Sequence, residues 1–91
     1  MDYEWNVKKN RENYQKHGIW FEEAVTIWAD VLSVEFFDPD HSIMEERYIR
    51  IGHTSKNRLV LVVFCERSNA IRIISARKVT SREKQIYEEG I

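Results

Sequence analysis

The sequence predicts an α+β domain, with two helices near the N-terminus, an antiparallel β-sheet in the middle and one helix at the C-terminus. Three observations support this prediction. Apolar residues near the start recur at helical spacing, and they are Phe21, Ala24, Val25 and Trp28. Residues 31–75 contain runs of β-branched and apolar side chains separated by polar turns. The segment after residue 79 begins with residues that cap helices.

The N-terminal elements follow from their boundary residues. Tyr3–Trp5 has the pattern of a short strand, and Asn6 is suited to cap the helix predicted over Val7–His17. Gly18 stands where that helix is expected to end, and Asp30 ends the second helix. A chain of 91 residues has room for one domain, and we assign the whole of it, residues 1–91, to that domain.

Four further strands are predicted between turns rich in Asp, Pro, Gly, Ser and Asn. They are Val31–Phe37, Arg47–Ile51, Leu59–Cys65 and Ala70–Ser75. The third of these is apolar at every position, which is typical of a central strand covered on both faces. Thr80 and Ser81 both suit the N-cap of the closing helix, which runs to Glu89, and we favour Ser81.

Charge divides the chain into two halves, although the formal net charge is -1. Residues 1–46 contain four Lys or Arg against eleven Asp or Glu, whereas residues 47–82 contain nine against one. Seven of these nine are Arg, whose planar guanidinium suits bidentate contacts with phosphate. A positive surface of this kind attracts a polyanion or an acidic partner. The alternative is a solvated sheet whose charge is balanced in space by the acidic half.

Several functional classes find no support in the sequence. The longest apolar run, Leu59–Cys65, is far too short for a membrane span, and residues 1–10 are unlike a signal peptide. The single cysteine, Cys65, cannot form an internal disulfide, so we expect a reducing compartment and a cytoplasmic protein. His41 and His53 lie in turns without partners at metal-ligand spacing, and we predict neither a metal nor another cofactor.

The chain resembles the BrnT family of bacterial toxin–antitoxin systems over residues 5–87. The similarity is carried by short pieces that follow the family's order and spacing. They are Trp5-Asn6, Lys9, Asn13, Lys16-His17-Gly18, Phe21-Glu22-Glu23-Ala24, Glu46-Arg47, Ile51-Gly52, Arg72-Ile73-Ile74-Ser75-Ala76-Arg77, Glu83 and Tyr87. Two positions depart from the pattern: Trp20 replaces a capping Ser or Asp, and Asn6 replaces an acidic residue. We expect these departures to affect partner specificity more than chemistry.

This resemblance implies a RelE-like fold and an endoribonuclease that inhibits translation and growth. It also implies neutralisation by a BrnA-type antitoxin, which carries a ribbon-helix-helix domain that binds operator DNA. The toxin then reaches DNA only through its antitoxin, and a dimer of toxin–antitoxin pairs is compatible with this arrangement. No membrane partner is implied.

RNA is cleaved without a metal when its own 2′-hydroxyl attacks the adjacent phosphorus. The reaction needs a base for the 2′ proton, cations for the phosphoryl oxygens and an acid for the leaving 5′ oxygen. Arg72 and Arg77 are the candidates for phosphate stabilisation, and Glu46 or His17 is the candidate base. Three of these four residues have an alternative structural role. Glu46 then forms a surface ion pair, His17 caps the C-terminus of its helix, and Arg77 pairs with a carboxylate.

The remaining candidate RNA contacts are Lys9, Asn13, Lys16, Arg47, Ser75 and Tyr87. Lys9, Asn13 and His17 follow one another at intervals of four residues, so they lie along one stripe of the helix. Lys9 and Asn13 there either contact RNA or hold His17 in place. Tyr87 suits the core equally well. Arg72 and Arg77 point to opposite faces of a regular strand. They converge only if the strand ends or bulges after Ser75.

Two other functions stay open at the level of sequence. One is an RNA-binding module that stacks bases on Tyr48, Phe64 and Trp28 without cutting the RNA. The other is a catalytically inactive toxin homologue that serves its antitoxin as a co-repressor. A neighbouring reading frame that encodes a ribbon-helix-helix protein favours the toxin family over a general RNA-binding module. It does not separate an active toxin from an inactive one.

Overall fold

Five strands form a single sheet in the computed structural model, which describes residues 2–41 and 44–90. They are β1 (Asp2–Glu4), β2 (Val34–Asp38), β3 (Arg47–His53), β4 (Leu59–Arg67) and β5 (Ala70–Lys78). Their order across the sheet is β1-β5-β4-β3-β2, so β4 is the central strand, as its apolar sequence predicts. The turn between β4 and β5 lies at Ser68 and Asn69, as predicted.

The sheet is mostly antiparallel, as predicted, but one edge of it is parallel, and the prediction is wrong at that edge. β1 pairs parallel with β5, whereas the other three pairs are antiparallel. The antiparallel pairs join strands that are consecutive in the chain, and short connections fix their direction. β1 and β5 are separated by most of the chain, so no turn signal determines their relative direction.

In the described part of the chain three α-helices flank the sheet, and their bounds are close to the predicted ones. They are α1 (Val7–His17), α2 (Phe21–Ala24) and α3 (Ser81–Glu89). The side chain of Asn6 accepts a hydrogen bond from the backbone N–H of Lys9 at 3.0 Å, and Gly18 ends α1 with a positive φ of 71°. The predicted second helix changes character along its length, because Val25–Ala29 continues α2 as a 3₁₀ helix that ends at Asp30.

The start of β2 differs from the prediction by three residues. Val31 and Leu32 form a turn instead of the first part of the strand, with 95 % and 69 % of their surfaces exposed. The Asp30 carboxylate accepts a hydrogen bond from the backbone N–H of Leu32 at 2.9 Å, which stabilises the turn. β-branched composition is therefore outweighed here by a local side-chain hydrogen bond.

The N-cap of α3 is Thr80, so our preference for Ser81 is wrong. The hydroxyl of Thr80 accepts from the backbone N–H of Glu83 at 3.2 Å, and the Glu83 carboxylate accepts from the backbone N–H of Thr80 at 2.8 Å. This reciprocal capping box needs an acidic residue three positions after the cap. Glu83 satisfies that spacing from Thr80 and fails it from Ser81.

Two separate apolar clusters cover the two faces of the sheet. On the face that packs against α1 and α2, here called the α1 face, Val60, Val62 and Phe64 of β4 are buried. On the opposite face, here called the α3 face, the buried Ile51 and Leu61 pack with Ile86 and Tyr87 of α3. Burial of each large apolar side chain contributes about 1.5–3 kcal/mol, which makes the larger α1-face cluster the main source of stability.

A β-bulge in β5 changes which residues share a face. Ser75 pairs with Val63 and Ile73 pairs with Phe64, so Ile74 is an extra residue without a partner on β4. Ile71, Ile73 and Ala76 consequently all join the α1-face cluster, although Ile73 and Ala76 are three residues apart and a regular strand places every second residue on one face. Arg72, Ser75 and Arg77 then share the α3 face. The bulge predicted as the condition for convergence is present, immediately before Ser75 and not after it.

Candidate functional site

An open groove lies on the α3 face, beside the part of the sheet that α3 covers. Its volume is about 300 Å³ and its floor is apolar. The lining residues are Asp38, His41, Arg47, Ile49, Leu61, Val63, Ser75 and Arg77. Three of the predicted RNA-contacting or catalytic residues, Arg47, Ser75 and Arg77, therefore meet in one place. They come from β3 and β5, on either side of the central strand.

The strand register explains this meeting. Ile49 pairs with Val63, and Val63 pairs with Ser75, which forms a row across the sheet. Arg77 pairs with Leu61 in the next row towards α3. Arg47 lies two residues before Ile49 on the same face, because side chains alternate along a strand. Side chains from β3 and β5, the two strands that flank β4, thus surround the floor formed by Ile49 and Val63.

Arg77 is held in place by the N-terminus of α3. Its two terminal nitrogens donate to the two carboxylate oxygens of Glu83, each at 2.8 Å, in a bidentate pair. The Arg77 guanidinium, together with the backbone N–H of Thr80, lowers the pKa of Glu83 to about 2. The predicted carboxylate-paired state of Arg77 is therefore present. The pair also fixes the orientation of the guanidinium at the edge of the groove.

Arg72 lies on the same face but outside the groove, opposite Cys65 on β4. Its guanidinium is 3.6 Å from the carboxylate of Glu4 on β1, and 28 % of its side chain is exposed. Arg72 and Arg77 share a face but not a pocket.

Most of the arginines in the basic half are paired with carboxylates. Five ion pairs among the described residues involve these arginines, and they are Arg50–Glu35, Arg58–Glu23, Arg67–Glu45, Arg72–Glu4 and Arg77–Glu83. Four of the five acidic partners come from residues 1–46. Carboxylates of the acidic half thus neutralise arginines of the basic half in the folded protein, which is the alternative that the sequence left open. The positive field of residues 47–82 is therefore much weaker than their composition indicates.

The predicted contacts on α1 lie on the other side of the sheet. Lys9 and Lys16 are exposed and His17 is half-buried at the C-terminus of the helix. Asn13 is buried, with 7 % of its surface exposed. Its amide donates to the carbonyl oxygens of Ile19 and Ala76, each at 2.9 Å, and its oxygen accepts from the backbone N–H of Ala76 at 3.1 Å. These bonds join α1 to β5, and Asn13 faces the protein interior.

Glu46 and Tyr87 are also outside the groove. The carboxylate of Glu46 accepts a hydrogen bond from the hydroxyl of Tyr48 at 3.1 Å, and Tyr48 packs in the α1-face cluster. The hydroxyl of Tyr87 donates to the Asp30 carboxylate at 2.7 Å and lies 3.0 Å from Nδ1 of His53. Burial and this hydrogen bond raise the pKa of Tyr87 to about 12, so its hydroxyl stays protonated.

The aromatic residues considered as a base-stacking platform form part of the core instead. Phe64 is 1 % exposed. Its ring centroid lies 5.0 Å from that of Trp28 and 5.8 Å from that of Tyr48. An exposed stacking surface made by these three rings does not exist, and this removes the feature on which a general RNA-binding module depended.

Sequence reasoning missed the histidine that lines the groove. His41 ends the short 3₁₀ turn Pro39–His41, and its Nδ1 lies 2.9 Å from a carboxylate oxygen of Asp38. The available signal was the turn sequence Asp38-Pro39-Asp40-His41, which sets a carboxylate and an imidazole three residues apart. A search for metal ligands alone overlooks this arrangement.

A larger pocket of about 490 Å³ lies near the start of α2, away from the groove. Its lining includes Trp20, Glu22 and Lys56. The carboxylates of Glu22 and Glu23 at this pocket disfavour phosphate. Across residues 2–41 and 44–90, no group of three or more His, Cys, Asp or Glu side chains is arranged to hold a metal ion. Within the same ranges, no helix has the length and apolar character needed to cross a membrane.

Comparison with family models identifies the family of this chain. The model of a family described as "Ribonuclease toxin, BrnT, of type II toxin-antitoxin system" matches residues 5–83. The chain belongs to the BrnT family. The crystal structure of the Brucella abortus ribonuclease toxin BrnT is similar in fold, with a TM-score of 0.69 and 21 % sequence identity. The similarity covers 89 % of this chain and 99 % of that chain. No curated protein matches the sequence.

Membership of the BrnT family confirms the resemblance seen in the sequence and implies an antitoxin partner. The matched range contains every residue that lines the groove and ends at Glu83, the partner of Arg77. Trp20, a departure from the family pattern, stacks on Tyr14 of α1 with ring centroids 4.1 Å apart. Trp20 thus packs against α1, and 39 % of its surface stays exposed.

Proposed function

We propose that this BrnT-family protein is an endoribonuclease toxin that cleaves RNA in the α3-face groove without a metal ion. The 2′-hydroxyl of the RNA attacks the adjacent phosphorus, and the groove stabilises the charge that develops. In this proposal the protein acts in the cytoplasm, inhibits translation and growth, and has a fold of the RelE-like superfamily. A BrnA-type antitoxin with a ribbon-helix-helix domain neutralises it and brings it to operator DNA.

The observation that carries the proposal is the meeting of Arg47, Ser75 and Arg77 in one groove. A phosphodiester in this groove lies between cationic side chains from two strands, with a hydroxyl between them. Guanidinium groups match the geometry of phosphoryl oxygens, and Ser75 supplies a donor for a third contact. Positive charge on both sides stabilises a phosphorane-like transition state more than the ground state, because negative charge increases on the phosphoryl oxygens.

The surroundings of Arg77 suit this role. Its bidentate pair with Glu83 fixes the guanidinium before RNA binds, so little side-chain entropy is lost on binding. The apolar floor of Ile49, Leu61 and Val63 displaces water from one side of the groove. Electrostatic interactions gain strength where water is excluded.

The other predicted residues take more distant roles in this proposal. Arg72 lies on the same face and can contact the RNA backbone beside the cleaved bond. Lys9 and Lys16 are exposed on α1, where they contribute to the long-range attraction of RNA. Glu46 and His17 lie on the opposite side of the sheet, so neither of them transfers a proton in the groove.

The test is cleavage of a defined RNA oligonucleotide by purified protein in the presence of EDTA. Wild type is expected to produce fragments that end in a 2′,3′-cyclic phosphate. Arg47→Gln is expected to lower the rate about a hundredfold, the usual cost of removing one transition-state contact. Arg82→Gln, an exposed change on α3 outside the groove, is the matched control and is expected to leave the rate unchanged. Circular dichroism verifies that each variant is folded.

Three outcomes contradict the proposal in different ways. Activity that EDTA abolishes removes metal independence. Loss of activity in Arg82→Gln equal to that in Arg47→Gln moves the site away from the groove. RNA binding without cleavage by wild type supports the alternative of an inactive homologue that acts as a co-repressor.

The antitoxin is expected to cover the same groove. An acidic antitoxin segment placed between Arg47 and Arg77 blocks RNA by charge complementarity. This predicts that raised salt weakens the toxin–antitoxin complex. A complex whose lifetime is independent of salt contradicts an electrostatic mode of inhibition.

A further inference from the structure

We propose that His41 is the general base of the groove and that Asp38 is its positioning residue. This inference rests on the proposed function, because it assigns a proton acceptor to the same RNA-cleaving groove. It replaces Glu46 and His17, which lie on the other side of the sheet, with a residue on the α3 face.

The geometry is that of an imidazole held from behind by a carboxylate. Nδ1 of His41 lies 2.9 Å from the Oδ2 atom of Asp38. The side chain of His41 is 69 % exposed, whereas that of Asp38 is only 13 % exposed. The carboxylate is thus fixed in the protein, and the imidazole it holds is open to a ligand.

This contact determines how the ring can act. A carboxylate accepts hydrogen bonds, so the proton of the neutral imidazole is on Nδ1 and the lone pair is on Nε2. Nε2 is then the atom that accepts a proton from a substrate hydroxyl. Asp38 also stabilises the imidazolium once that proton is transferred, because the negative carboxylate lies beside the new positive charge.

The neighbours of His41 include both cations that contact phosphate in the proposed function. The charged groups that line the groove and the adjoining pocket around it are Asp38, Asp40, Glu45, Arg47 and Arg77. Glu45, one of the carboxylates of the adjoining pocket, is already paired: Arg67 donates to its two carboxylate oxygens at 2.9 and 3.1 Å. This pairing lowers the pKa of Glu45 and weakens it as a base.

Nε2 of His41 takes the proton of the 2′-hydroxyl, and the 2′ oxygen forms a bond to phosphorus. The bond from phosphorus to the 5′ oxygen breaks, and that oxygen takes a proton from a water molecule. The imidazolium returns its proton to the hydroxide left behind. The products are a 2′,3′-cyclic phosphate and a free 5′-hydroxyl, with no oxidant, reductant or metal consumed.

Single-turnover cleavage of the same RNA oligonucleotide tests the assignment. His41→Gln is expected to lower the rate a hundredfold or more while changing RNA affinity less than threefold, since general bases typically contribute about 10²–10⁴. His53→Gln is the matched histidine control, because His53 contacts Tyr87 at the far end of β3 and does not line the groove. It is expected to retain the wild-type rate.

Two further measurements separate chemistry from structure. Added imidazole is expected to restore part of the rate of His41→Ala, and it has no effect on wild type or on Arg47→Gln. Asp38→Asn is expected to lower the rate about tenfold with unchanged affinity, and to change the pH profile of the cleavage rate relative to wild type. If His41 and Asp38 only support the structure, added imidazole does not restore the rate of His41→Ala, and Asp38→Asn leaves the pH profile unchanged.

The outcomes distinguish this inference from the function on which it rests. If wild type does not cleave RNA at all, the proposed function fails, and the inference fails with it. If wild type cleaves RNA and a folded His41→Gln cleaves it equally fast, the groove function stands and the assignment of His41 is overturned. If His17→Gln loses activity and His41→Gln does not, the base lies on α1 and the inference is likewise overturned.

Discussion

Replacing Glu83 by Gln removes the negative charge that binds Arg77 to the start of α3. In the native protein the Glu83 carboxylate accepts two hydrogen bonds from Arg77 and one from the backbone N–H of Thr80, each at 2.8 Å. A glutamine keeps one carbonyl oxygen for the cap but loses the ion pair. The variant therefore isolates the charge interaction between β5 and α3 from the capping box.

The structure sets the size and the pH dependence of the effect. The pKa of Glu83 falls from its ordinary 4.5 to about 2. At about 1.4 kcal/mol per pKa unit, this corresponds to at most about 3 kcal/mol. Because 38 % of the Arg77 side chain is exposed, water screens the pair, and we expect about 1–2 kcal/mol at pH 7. The folded-state pKa is depressed, so this stability is present above pH 4.5 and is lost as the pH falls towards 2.

Urea unfolding followed by tryptophan fluorescence measures the difference. With a slope of about 1 kcal/mol per molar, Glu83→Gln is expected to lower the midpoint by about 1–2 M at pH 7. At pH 3 the gap between variant and wild type is expected to shrink by more than half. Glu88→Gln, an exposed change on the same helix, serves as the control and leaves the midpoint unchanged at both pH values. A gap that stays the same at pH 7 and pH 3 refutes the reasoning, because the loss then comes from the cap or the packing and not from the charge.

Three other changes have outcomes that follow from single contacts. Asn13→Ala leaves buried backbone groups unpaired, so it is expected to lower the free energy of unfolding by about 2–4 kcal/mol and the Tm by about 10 °C or more. An unchanged Tm contradicts the structural role of this side chain. Gly52→Ala places a Cβ 2.9 Å from the Cβ of Ser33, so it is expected to lower the free energy of unfolding in urea by about 1–3 kcal/mol. An unchanged free energy of unfolding means that the turn before β2 can move. Tyr87→Phe removes the hydroxyl that donates to Asp30, so the pKa of Asp30 is expected to rise in an NMR titration; no change in that pKa contradicts the contact.

Local signals were sufficient for most helix and turn boundaries. Asn6, Gly18 and Asp30 act through hydrogen bonds or φ preferences within a few residues of themselves, so the sequence around each residue contains the whole interaction. The capping box at Thr80 is equally local, and the error of one residue came from weighing cap identity without the spacing to Glu83. The central position of β4 also followed from its composition, since a strand apolar on both faces must be covered on both.

The long-range features were not contained in any short pattern. The parallel pairing of β1 with β5 depends on the path of the chain between them. The bulge at Ile74 depends on which residues of β4 and α1 are packed against β5. The candidate site was therefore predictable only in part: Arg47, Ser75 and Arg77 were identified, but their common groove was not. The His41–Asp38 contact lay in a turn that the sequence marked only as a turn.

The bulge links the stability of the core to the construction of the groove. Without the bulge, with Ile74 in regular pairing, strand alternation directs Arg77 to the α1 face, where an unpaired guanidinium costs several kcal/mol to bury. With it, Ala76 fits beneath α1 and Arg77 reaches both Glu83 and the groove. β1 pairs with β5 only as far as Arg72, so Ala76 has no backbone partner on β1. The side chain of Asn13 on α1 takes the place of a strand there, because it binds both the N–H and the C=O of Ala76. The buried amide on one face thus holds the strand geometry that presents cationic side chains on the other.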